Sequence, residues 1–371
     1  MKNKLLEGKL VVSIEQAVAA PYCSVKLADA GARVIKVERS EGDFARYYDN
    51  FVKGDSTYFV WLNRGKESFI ANIKDSQDQE FLKKLILKSD IFIQNLLPGT
   101  LDKYGLDSKS LRKKNSKLIT CDISGYGSLG SYSKTKAYDL LIQAETGLCS
   151  LTGDEKHPGR VGVSVCDIAC GLNAYTLILE ALIKRGSTGS GSSIKISLFD
   201  SLSEWMNVPY LQYTYTKTAP KRVGLAHPSI VPYGCFSTKD KINILFSIQN
   251  EREWNSFEKN ILKLPEQLKK KFINPSKRLK YKTNLNDIIS RAFKLLTAKK
   301  VTYFLKKSNI AYGFLNNIKD LAKHSELKTA YLTTDKGKIK FIPPVRIKNQ
   351  KYYKKIPTLG EHTKKIKEEF N

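Results

Sequence analysis

The sequence lacks the short motifs that mark the common metal, nucleotide and hydrolase sites. Its six cysteines are scattered and form no CxxC pair, so neither a zinc site nor a disulfide framework is indicated and we predict no metal ligands. HExxH, GxSxG and P-loop sequences do not occur, which removes support for zincins, serine hydrolases and P-loop NTPases. No GxGxxG follows the first predicted strand, so a dinucleotide site is weakly supported.

Long apolar runs are also missing. No uninterrupted run approaches the roughly 20 residues that cross a bilayer. The N-terminus leads only into a short apolar segment and has no small-residue cleavage pattern, which is unlike a secretory signal. We therefore expect a cytoplasmic protein without a membrane partner.

Acidic residues are few: 36 aspartates and glutamates oppose 63 lysines and arginines, for a net charge of +27. Nucleic-acid binding is the obvious inference, but only 12 of the basic residues are arginine and the lysines are spread along the whole chain. No zinc finger, RNP motif or basic region is present. We expect no nucleic-acid partner, and keep a basic nucleic-acid-binding protein as the alternative from another class. The charge would attract a small polyanionic ligand.

A chain of 371 residues favours two domains. Its first half alternates short β-branched runs with amphipathic segments, which predicts an α/β fold with a Rossmann-like parallel sheet and right-handed crossovers. The predicted strands are 9–14, 33–38, 69–73, 91–95, 118–123 and 194–200, and the predicted helices are 21–30, 76–88, 138–150 and 168–184.

Composition changes near residues 214–222, after which the chain is richer in lysine, asparagine and short helices. We therefore predict a large domain over 1–205 that is completed by 330–371, and a linker over 206–232. A smaller α+β domain follows over 233–329. A returning strand pair is predicted over 338–347, around Pro343 and Pro344.

Asp167 is the only acidic residue between Glu155 and Glu180, at the point where a strand-like segment leads into a long helix. A carboxylate there is typical of a helix N-cap. It is equally placed to be a nucleophile, because a carboxylate at a positive helix terminus stays ionised and can attack a thioester. The two roles are compatible.

Three turns follow predicted strands. Small residues over 15–21 and a Pro-Gly turn over 95–99 allow a ligand to approach the backbone at the carboxyl edge of a parallel sheet, although the local sequence alone favours ordinary turns. Arg39 follows the second strand, where it suits either a phosphate or a surface ion pair. His227 lies on a loop next to Pro228, where a structural and a functional role both remain open.

In order and spacing, these motifs resemble the class III CoA-transferases, also called the CaiB/BaiF family, over essentially the whole chain. The similar segments are 34–39 with Gly42 and Asp43, 63–66, 95–99 with Leu106, 138–140 with Gln143, Thr146 and Gly147, Asp167, 181–185 with 188–191, 197–200 and 357–363.

The resemblance implies an enzyme in which Asp167 attacks an acyl-CoA thioester, giving a mixed anhydride and then an aspartyl-CoA thioester. CoA is then a co-substrate, and no permanently bound cofactor is expected. Tyr138 is implied beside the nucleophile, and Arg222 or His227 as a holder of the distal carboxylate of the acid. The implied CoA-binding residues are Val18, Ala19, Arg39, Ala71, Asn95, Leu96, Lys103 and Lys136.

The resemblance also narrows the reaction. Related α-methylacyl-CoA racemases carry a histidine where this chain has Tyr138, and racemisation needs a base on each face of the substrate carbon. The glycine-rich lid of the formyl-CoA/oxalate members is absent around 227–234. We therefore expect CoA transfer from a donor such as succinyl-CoA to a short dicarboxylic acid of the mesaconate, citramalate, malate or itaconate type.

The alternatives are an intramolecular mesaconyl-CoA-type C1–C4 transferase, a racemase or epimerase, and a catalytically silent CoA-binding protein. The family fold further implies ring-shaped monomers that interlock in a homodimer.

Overall fold

A computed structural model describes residues 5–345 and 355–371. Its strands are β1 (Leu10–Ile14), β2 (Arg33–Glu38), β3 (Lys66–Ile70), β4 (Ile91–Gln94), β5 (Ile119–Ser124), β6 (Ser193–Ser197), β7 (Tyr233–Ser237), β8 (Asn243–Ser247), β9 (Ala311–Phe314), β10 (Ala330–Thr334) and β11 (Gly337–Phe341).

The helices are α1 (Ala19–Asp29), α2 (Thr57–Leu62), α3 (Ser76–Leu87), α4 (Ser108–Lys114), α5 (Asp139–Glu145), α6 (Leu148–Leu151), α7 (Val165–Thr188), α8 (Leu198–Trp205), α9 (Asn207–Thr216), α10 (Glu251–Phe257), α11 (Glu266–Lys271), α12 (Pro275–Lys280), α13 (Lys282–Lys294), α14 (Ala298–Lys307), α15 (Ile318–Ala322) and α16 (Thr363–Phe370).

The first unit contains the described residues of 1–149, 160–214 and 328–371. Its centre is a six-stranded parallel sheet in the order β3-β2-β1-β4-β5-β6, which confirms the predicted α/β fold with a parallel sheet. Because the strand order reverses between β1 and β4, the turns that follow these two strands separate and leave a crevice at the carboxyl edge.

Apolar side chains cover both faces of this sheet, as expected for strands buried on two sides. On one face Val11 and Ile93 pack with Cys170 and Ile178 of α7. On the other face a second cluster joins the sheet to α3 and α16, with Val12, Phe92, Leu82, Leu85 and Ile366 among its members.

Two strand predictions were wrong at their ends. The third strand spans Lys66–Ile70, earlier than predicted, because its register pairs Lys66 with Val34 and Ile70 with Glu38. The sixth ends at Ser197, where the Ser197 hydroxyl accepts the amide of Asp200 and starts α8.

The predicted helix 138–150 is interrupted, because Gly147 adopts a φ of 83°, in the left-handed region. It forms α5 and the short α6 instead. The predicted strand pair around Pro343 and Pro344 was also misplaced: β11 pairs with β10 ahead of the prolines. The end of that prediction, residues 346 and 347, lies outside the described residues.

The helix α7 is longer than predicted and begins at Val165, so Asp167 lies in its first turn and is not the N-cap. Ser164 holds the cap position but makes no capping hydrogen bond with its side chain. Within the described part of the chain, α7 alone is long and apolar enough to cross a membrane. A core helix satisfies the same criterion, and α7 packs its buried residues against α1 and the sheet.

The second unit contains residues 150–159 and 215–327. An antiparallel sheet in the order β7-β8-β9 packs with helices α10 to α14 around an aromatic core. Phe246 is central to this core, with its ring centroid 5.0 Å from that of Phe257 and 5.4 Å from that of Phe293. Within the segment predicted as a linker, residues 207–216 form α9.

Candidate active site

A cavity of about 710 Å³ opens at the carboxyl edge of the parallel sheet, where the turn after β1 meets the turn after β4. This is the position at which open α/β sheets bind their ligands. The cavity wall brings together several of the predicted site residues, namely Val18, Ala19, Asn95, Leu96, Lys136, Tyr138 and Asp167.

Asn95 joins the two turns of this crevice. Its side-chain oxygen accepts the amide of Gln16 at 3.0 Å, and its side-chain nitrogen donates to the Gln16 carbonyl at 2.8 Å. The Asn95 amide also donates to the Ile14 carbonyl at 3.3 Å. The side chain of Asn95 therefore holds the backbone of the turn after β1.

A buried group of charges lies beneath the turn after β1. Lys66 Nζ donates to Glu15 Oε1 at 2.6 Å, and Lys36 Nζ donates to Asp43 Oδ2 at 2.8 Å and to Glu15 Oε1 at 3.4 Å. The Asp43 carboxyl in turn accepts the amide of Ala17 at 3.1 Å, although Ala17 has a φ of 63°. The group fixes a turn that would otherwise be strained.

The titration of this group reflects burial and charge pairing together. Burial opposes the ionised form of Glu15, but Lys66 and Lys36 outweigh it and lower the pKa of Glu15 to about 2. Burial lowers the pKa of Lys66 to about 8 against the attraction of Glu15. For Lys36, burial is outweighed by Asp43 and Glu15, which raise its pKa to about 12.

Sequence reasoning missed these residues as part of the site. The signal available was charge inside apolar strands: Lys36 interrupts a β-branched run, and Lys66 begins β3. Such charges are rarely left unpaired in a core, but Glu15, which both lysines contact, lies 21 residues from Lys36 and 51 from Lys66.

Asp167 is half-buried in the wall of the cavity. Burial is the main cause that raises the pKa of its carboxyl, to about 7, and the neighbouring charge of Asp139 raises it further. Among residues 5–345 and 355–371, none donates a hydrogen bond to this carboxyl. A carboxylate with few donors is a stronger nucleophile than a solvated one.

Asp139 accepts hydrogen bonds from amides at the start of α7, which the side chain of Ser164 does not do. Its Oδ1 accepts the amide of Cys166 at 2.7 Å and that of Asp167 at 3.4 Å. Its Oδ2 accepts Gln143 Nε2 at 2.7 Å. The first turn of α7 is thus held from α5, which explains why the helix begins before the predicted residue 168.

Tyr138 holds the N-cap position of α5 in an extended conformation, and its side chain is 60% exposed beside the cavity. An aromatic wall, which sequence reasoning missed, also lines the cavity. The ring of Tyr48 lies 5.6 Å from that of Phe44 and 5.3 Å from that of Tyr58. Burial raises the pKa of Tyr48, and the charges of Asp43 and Asp167 add to it.

Three predicted CoA-binding residues lie outside the cavity wall. Arg39 follows β2 with an exposed side chain, which donates to the Gly42 carbonyl at 3.1 Å. Ala71 is buried directly after β3. Lys103 is exposed in a short 3-10 helix, Asp102–Tyr104. Arg39 and Ala71 nevertheless follow strands whose carboxyl ends share the edge that bears the cavity.

Arg222 and His227 belong to the second unit. The Arg222 guanidinium donates to the carbonyls of Ser150, Asp154 and Glu155 at 2.8 to 3.3 Å, which uses three of its five N–H groups. His227 Nδ1 accepts backbone amides of its own loop, and its ring stacks on that of Tyr233 at 5.4 Å.

A second cavity of about 790 Å³ lies on the other side of the 96–98 turn. It contains Asp122, whose pKa is raised by burial and whose carboxyl accepts Gln94 Nε2 at 2.9 Å and Ser108 Oγ at 2.8 Å. Neither Asp167 nor Tyr138 lines it. The two residues predicted to be catalytic thus line the cavity of about 710 Å³ and not this one.

A parallel sheet with this strand order and a cavity at its crevice place the protein in the class of open α/β folds that bind ligands at the carboxyl edge. The sequence model of CoA-transferase family III matches residues 6–363. The chain belongs to CoA-transferase family III, the CaiB/BaiF family, which confirms the resemblance described above and the prediction of a CoA-transferase.

Individual relatives agree with this assignment. The chain is 34% identical over 380 residues to a succinyl-CoA:glutarate CoA-transferase of Mus musculus, covering 99% of this chain and 86% of the relative. It is 33% identical to a succinyl-CoA:mesaconate CoA-transferase of Haloarcula marismortui, over 63% of this chain and 62% of the relative. The crystal structure of a CaiB/BaiF family protein from Brucella suis superimposes with a TM-score of 0.87 at 30% identity, covering 100% of both chains.

Proposed function

We propose that this protein transfers CoA from succinyl-CoA, or a similar short acyl-CoA, to a short dicarboxylic acid, with Asp167 as the nucleophile. The observation that carries the proposal is the position of Asp167: a half-buried carboxyl with a pKa raised to about 7, in the wall of a 710 Å³ cavity at the switch point of the sheet. Succinyl-CoA is the donor named for both relatives above, and glutarate and mesaconate are their acceptors.

The proposed reaction consists of two exchanges on Asp167. A carboxylate oxygen of Asp167 attacks the thioester carbonyl, the C–S bond breaks, and the CoA thiolate leaves a mixed anhydride. The thiolate then attacks the aspartyl carbonyl of that anhydride, which releases succinate and forms an aspartyl-CoA thioester. The acceptor carboxylate repeats the two steps in reverse and leaves with CoA, so Asp167 is regenerated as a carboxylate.

The cavity wall suits the binding of CoA. The turns at Val18–Ala19 and at Asn95–Leu96 line the cavity, and their backbone would approach the pantetheine and diphosphate parts. Lys136 lines the same cavity and carries the positive charge that a phosphate needs. In this proposal Arg39 and Lys103 contact the nucleotide, and Ala71 leaves room for it.

Tyr138 is the proposed neighbour of the reacting carboxyl groups. Its hydroxyl lies on an exposed side chain beside the cavity, where a phenol can donate to an oxygen that gains negative charge. The distal carboxylate of the acid would bind Arg222, through its two remaining N–H groups, or His227. An exchange activity restricted to monocarboxylates would contradict the dicarboxylate part of the proposal.

We also propose that the protein acts in the cytoplasm as an interlocked homodimer. The net charge of +27 would then serve to attract the phosphates of CoA. Light scattering that gives twice the mass of 41.9 kDa, with no dissociation on dilution, is the expected result. A concentration-dependent monomer would contradict interlocking.

The experiment that tests the proposed function is trapping of the acyl-enzyme. The protein is incubated with succinyl-CoA and hydroxylamine, and peptides are analysed by mass spectrometry beside Asp167→Ala. A hydroxamate confined to the Asp167 peptide, and absent from the variant, is expected. The absence of a label with several CoA monothioesters of short dicarboxylic acids would overturn the proposal. Product analysis with unlabelled mesaconyl-CoA alone would reveal an intramolecular transfer between its two carboxylates.

A further inference from the structure

The nucleophile lies in an unusual electrostatic position. Carboxylates in the first turn of a helix are normally stabilised by the free N–H groups and by the positive end of the helix dipole, which lowers their pKa. Asp167 is in the first turn of α7, and its pKa is raised. Burial is the main cause of the rise. Two of the N–H groups that could otherwise stabilise the carboxyl also bond to another group.

Asp139 is that group. Its Oδ1 accepts the amides of Cys166 and Asp167 at 2.7 and 3.4 Å, so the donors at the start of α7 face Asp139. The contact comes from a different helix, α5, and is separated by 27 residues from Cys166. The same carboxyl brings a negative charge close to Asp167.

Gln143 holds Asp139 in place. It is fully buried one turn further along α5, and its Nε2 donates to Asp139 Oδ2 at 2.7 Å. Its Oε1 accepts the amide of Val161 at 2.9 Å, and its Nε2 also reaches the Val161 carbonyl at 3.3 Å. The chain approaching α7, the start of α7 and α5 are thus joined by two side chains.

We propose that Asp139 is a positioning residue for CoA transfer: it occupies the N-terminal amides of α7, so that the Asp167 carboxylate is held at the cavity wall without backbone donors and remains reactive. This inference rests on the proposed function. Asp139 itself lines the cavity, Gln143 acts through it, and their role differs from the one proposed for Tyr138.

The variant Asp139→Asn separates charge from shape. The side-chain oxygen of the substituted asparagine can still accept the amide of Cys166, but the negative charge beside Asp167 is lost. The acid limb of the pH profile of kcat/KM is expected to move to lower pH, because ionisation of Asp167 becomes easier. A fall of about 10- to 100-fold in the maximal rate is expected, because the side-chain nitrogen of the asparagine would face the donor Gln143 Nε2 in place of Oδ2, and small displacements of reacting groups have effects of that size.

The variant Gln143→Met keeps the charge of Asp139 but removes the hydrogen bond from Gln143 Nε2 that positions its carboxyl. Here the maximal rate is expected to fall while the acid limb stays near its wild-type pH. Glu145→Gln is the matched control, because Glu145 lies on the same helix α5 with an exposed side chain. Its rate and its pH profile should equal those of the wild type.

The pH profile must be read against the other groups around Asp167. A shift of the acid limb that is common to all variants would be assigned to one of these other groups. A shift that occurs in Asp139→Asn alone would be assigned to Asp139. Those that line the cavity or interact with Asp167 are Tyr48, Tyr58, Lys136, Tyr138, Arg160, Cys166 and Cys170.

The experiment measures kcat/KM for succinyl-CoA from pH 5 to 9 and the rate of hydroxamate labelling at Asp167 in the four proteins, with thermal melting to confirm folding. An unlabelled wild type would overturn the proposed function. A labelled wild type with an unshifted acid limb in Asp139→Asn would overturn the role of Asp139 alone. If Asp139→Asn does not fold, the role of Asp139 is tested by Gln143→Met. A shift of its acid limb by as much as one pH unit would overturn that role.

Discussion

The side chain of Asn95, at the end of β4, forms two hydrogen bonds with the backbone of Gln16, after β1, at 3.0 and 2.8 Å. These two strands are neighbours at the point where the strand order of the sheet reverses. The bonds therefore span the crevice in which we place CoA, and they set the distance between its two walls.

Replacing Asn95 by Ala should weaken binding of acyl-CoA more than it slows the chemical step. Two partly buried hydrogen bonds are worth about 1–3 kcal/mol together, which corresponds to a rise in KM of roughly 5- to 160-fold. Steady-state kinetics with succinyl-CoA measure KM and kcat of the variant. The control is Asn72→Ala, because Asn72 lies on an exposed turn outside the cavity wall. A KM within a factor of two of wild type would show that the turns are held by other contacts.

Asp167→Asn should abolish CoA transfer without loss of stability. Asp167 is not the cap of α7, so the penalty of about 1 kcal/mol for removing an N-cap does not apply. We expect a fall in activity of at least about 1000-fold, as for the loss of a covalent nucleophile. Urea unfolding measures the free energy, and a loss above about 1 kcal/mol would indicate a capping role after all.

The raised pKa of Asp167 also predicts a pH dependence of stability with a definite sign. The pKa of Asp167, about 7 in the folded protein, exceeds the usual aspartate value of 3.8, so between these limits the folded protein binds a proton that the unfolded chain does not. The contribution of Asp167 to stability is therefore full below pH 4 and is lost as pH rises towards 7. Relative to Asp167→Asn, the wild type should lose stability between pH 4.5 and 7.5. If the difference in unfolding free energy between the wild type and Asp167→Asn does not change with pH, the pKa of Asp167 is that of an ordinary aspartate.

Gly171 sets how closely α7 approaches α1, one turn after Asp167. A Cβ at Gly171 would lie 2.5 Å from the carbonyl oxygen of Ala19, so Gly171→Ala must displace one helix. We expect lower thermal stability and a fall in activity of more than about 10-fold, because the nucleophile moves with its helix.

Gly186→Ala is the matched control, since Gly186 lies within the same helix and a Cβ there meets nothing within 4 Å. It should gain about 0.5–1 kcal/mol of stability and keep full activity. Equal behaviour of the two variants in thermal melting and in CoA-transfer assays would contradict the close helix crossing as the cause.

Lys66→Met should be strongly destabilising, because it leaves the carboxylate of Glu15 buried with one fewer partner. Breaking a buried ion pair costs about 3–5 kcal/mol, and replacing both partners costs much less. The double variant Glu15→Gln/Lys66→Met should therefore be more stable than Lys66→Met alone. Urea unfolding of the wild type, both single variants and the double variant measures the coupling, and simple additivity would contradict the pairing at 2.6 Å.

The parallel sheet was predictable because its strands are short, β-branched and separated by amphipathic helices, and this pattern is local in the sequence. The predicted element boundaries were wrong where contacts between residues distant in sequence determine them. The start of α7 depends on Asp139, which is 27 residues away from Cys166. The third strand shifted towards Lys66, because the ladder with β2 and the buried contact with Glu15 hold that end.

The order of the motifs was sufficient to indicate the family and to select Asp167, Val18 and Asn95, which the structure places around one cavity, since residue identity and spacing carry this information. Only the tertiary structure showed which of these residues share a cavity, and which charges are buried beneath it. The aromatic wall around Tyr48 and the pairing of Asp139 with the amides of α7 were likewise invisible in the sequence. The physical reason is that burial, hydrogen bonding and the pKa of a carboxyl depend on neighbours that the chain brings together only when it folds.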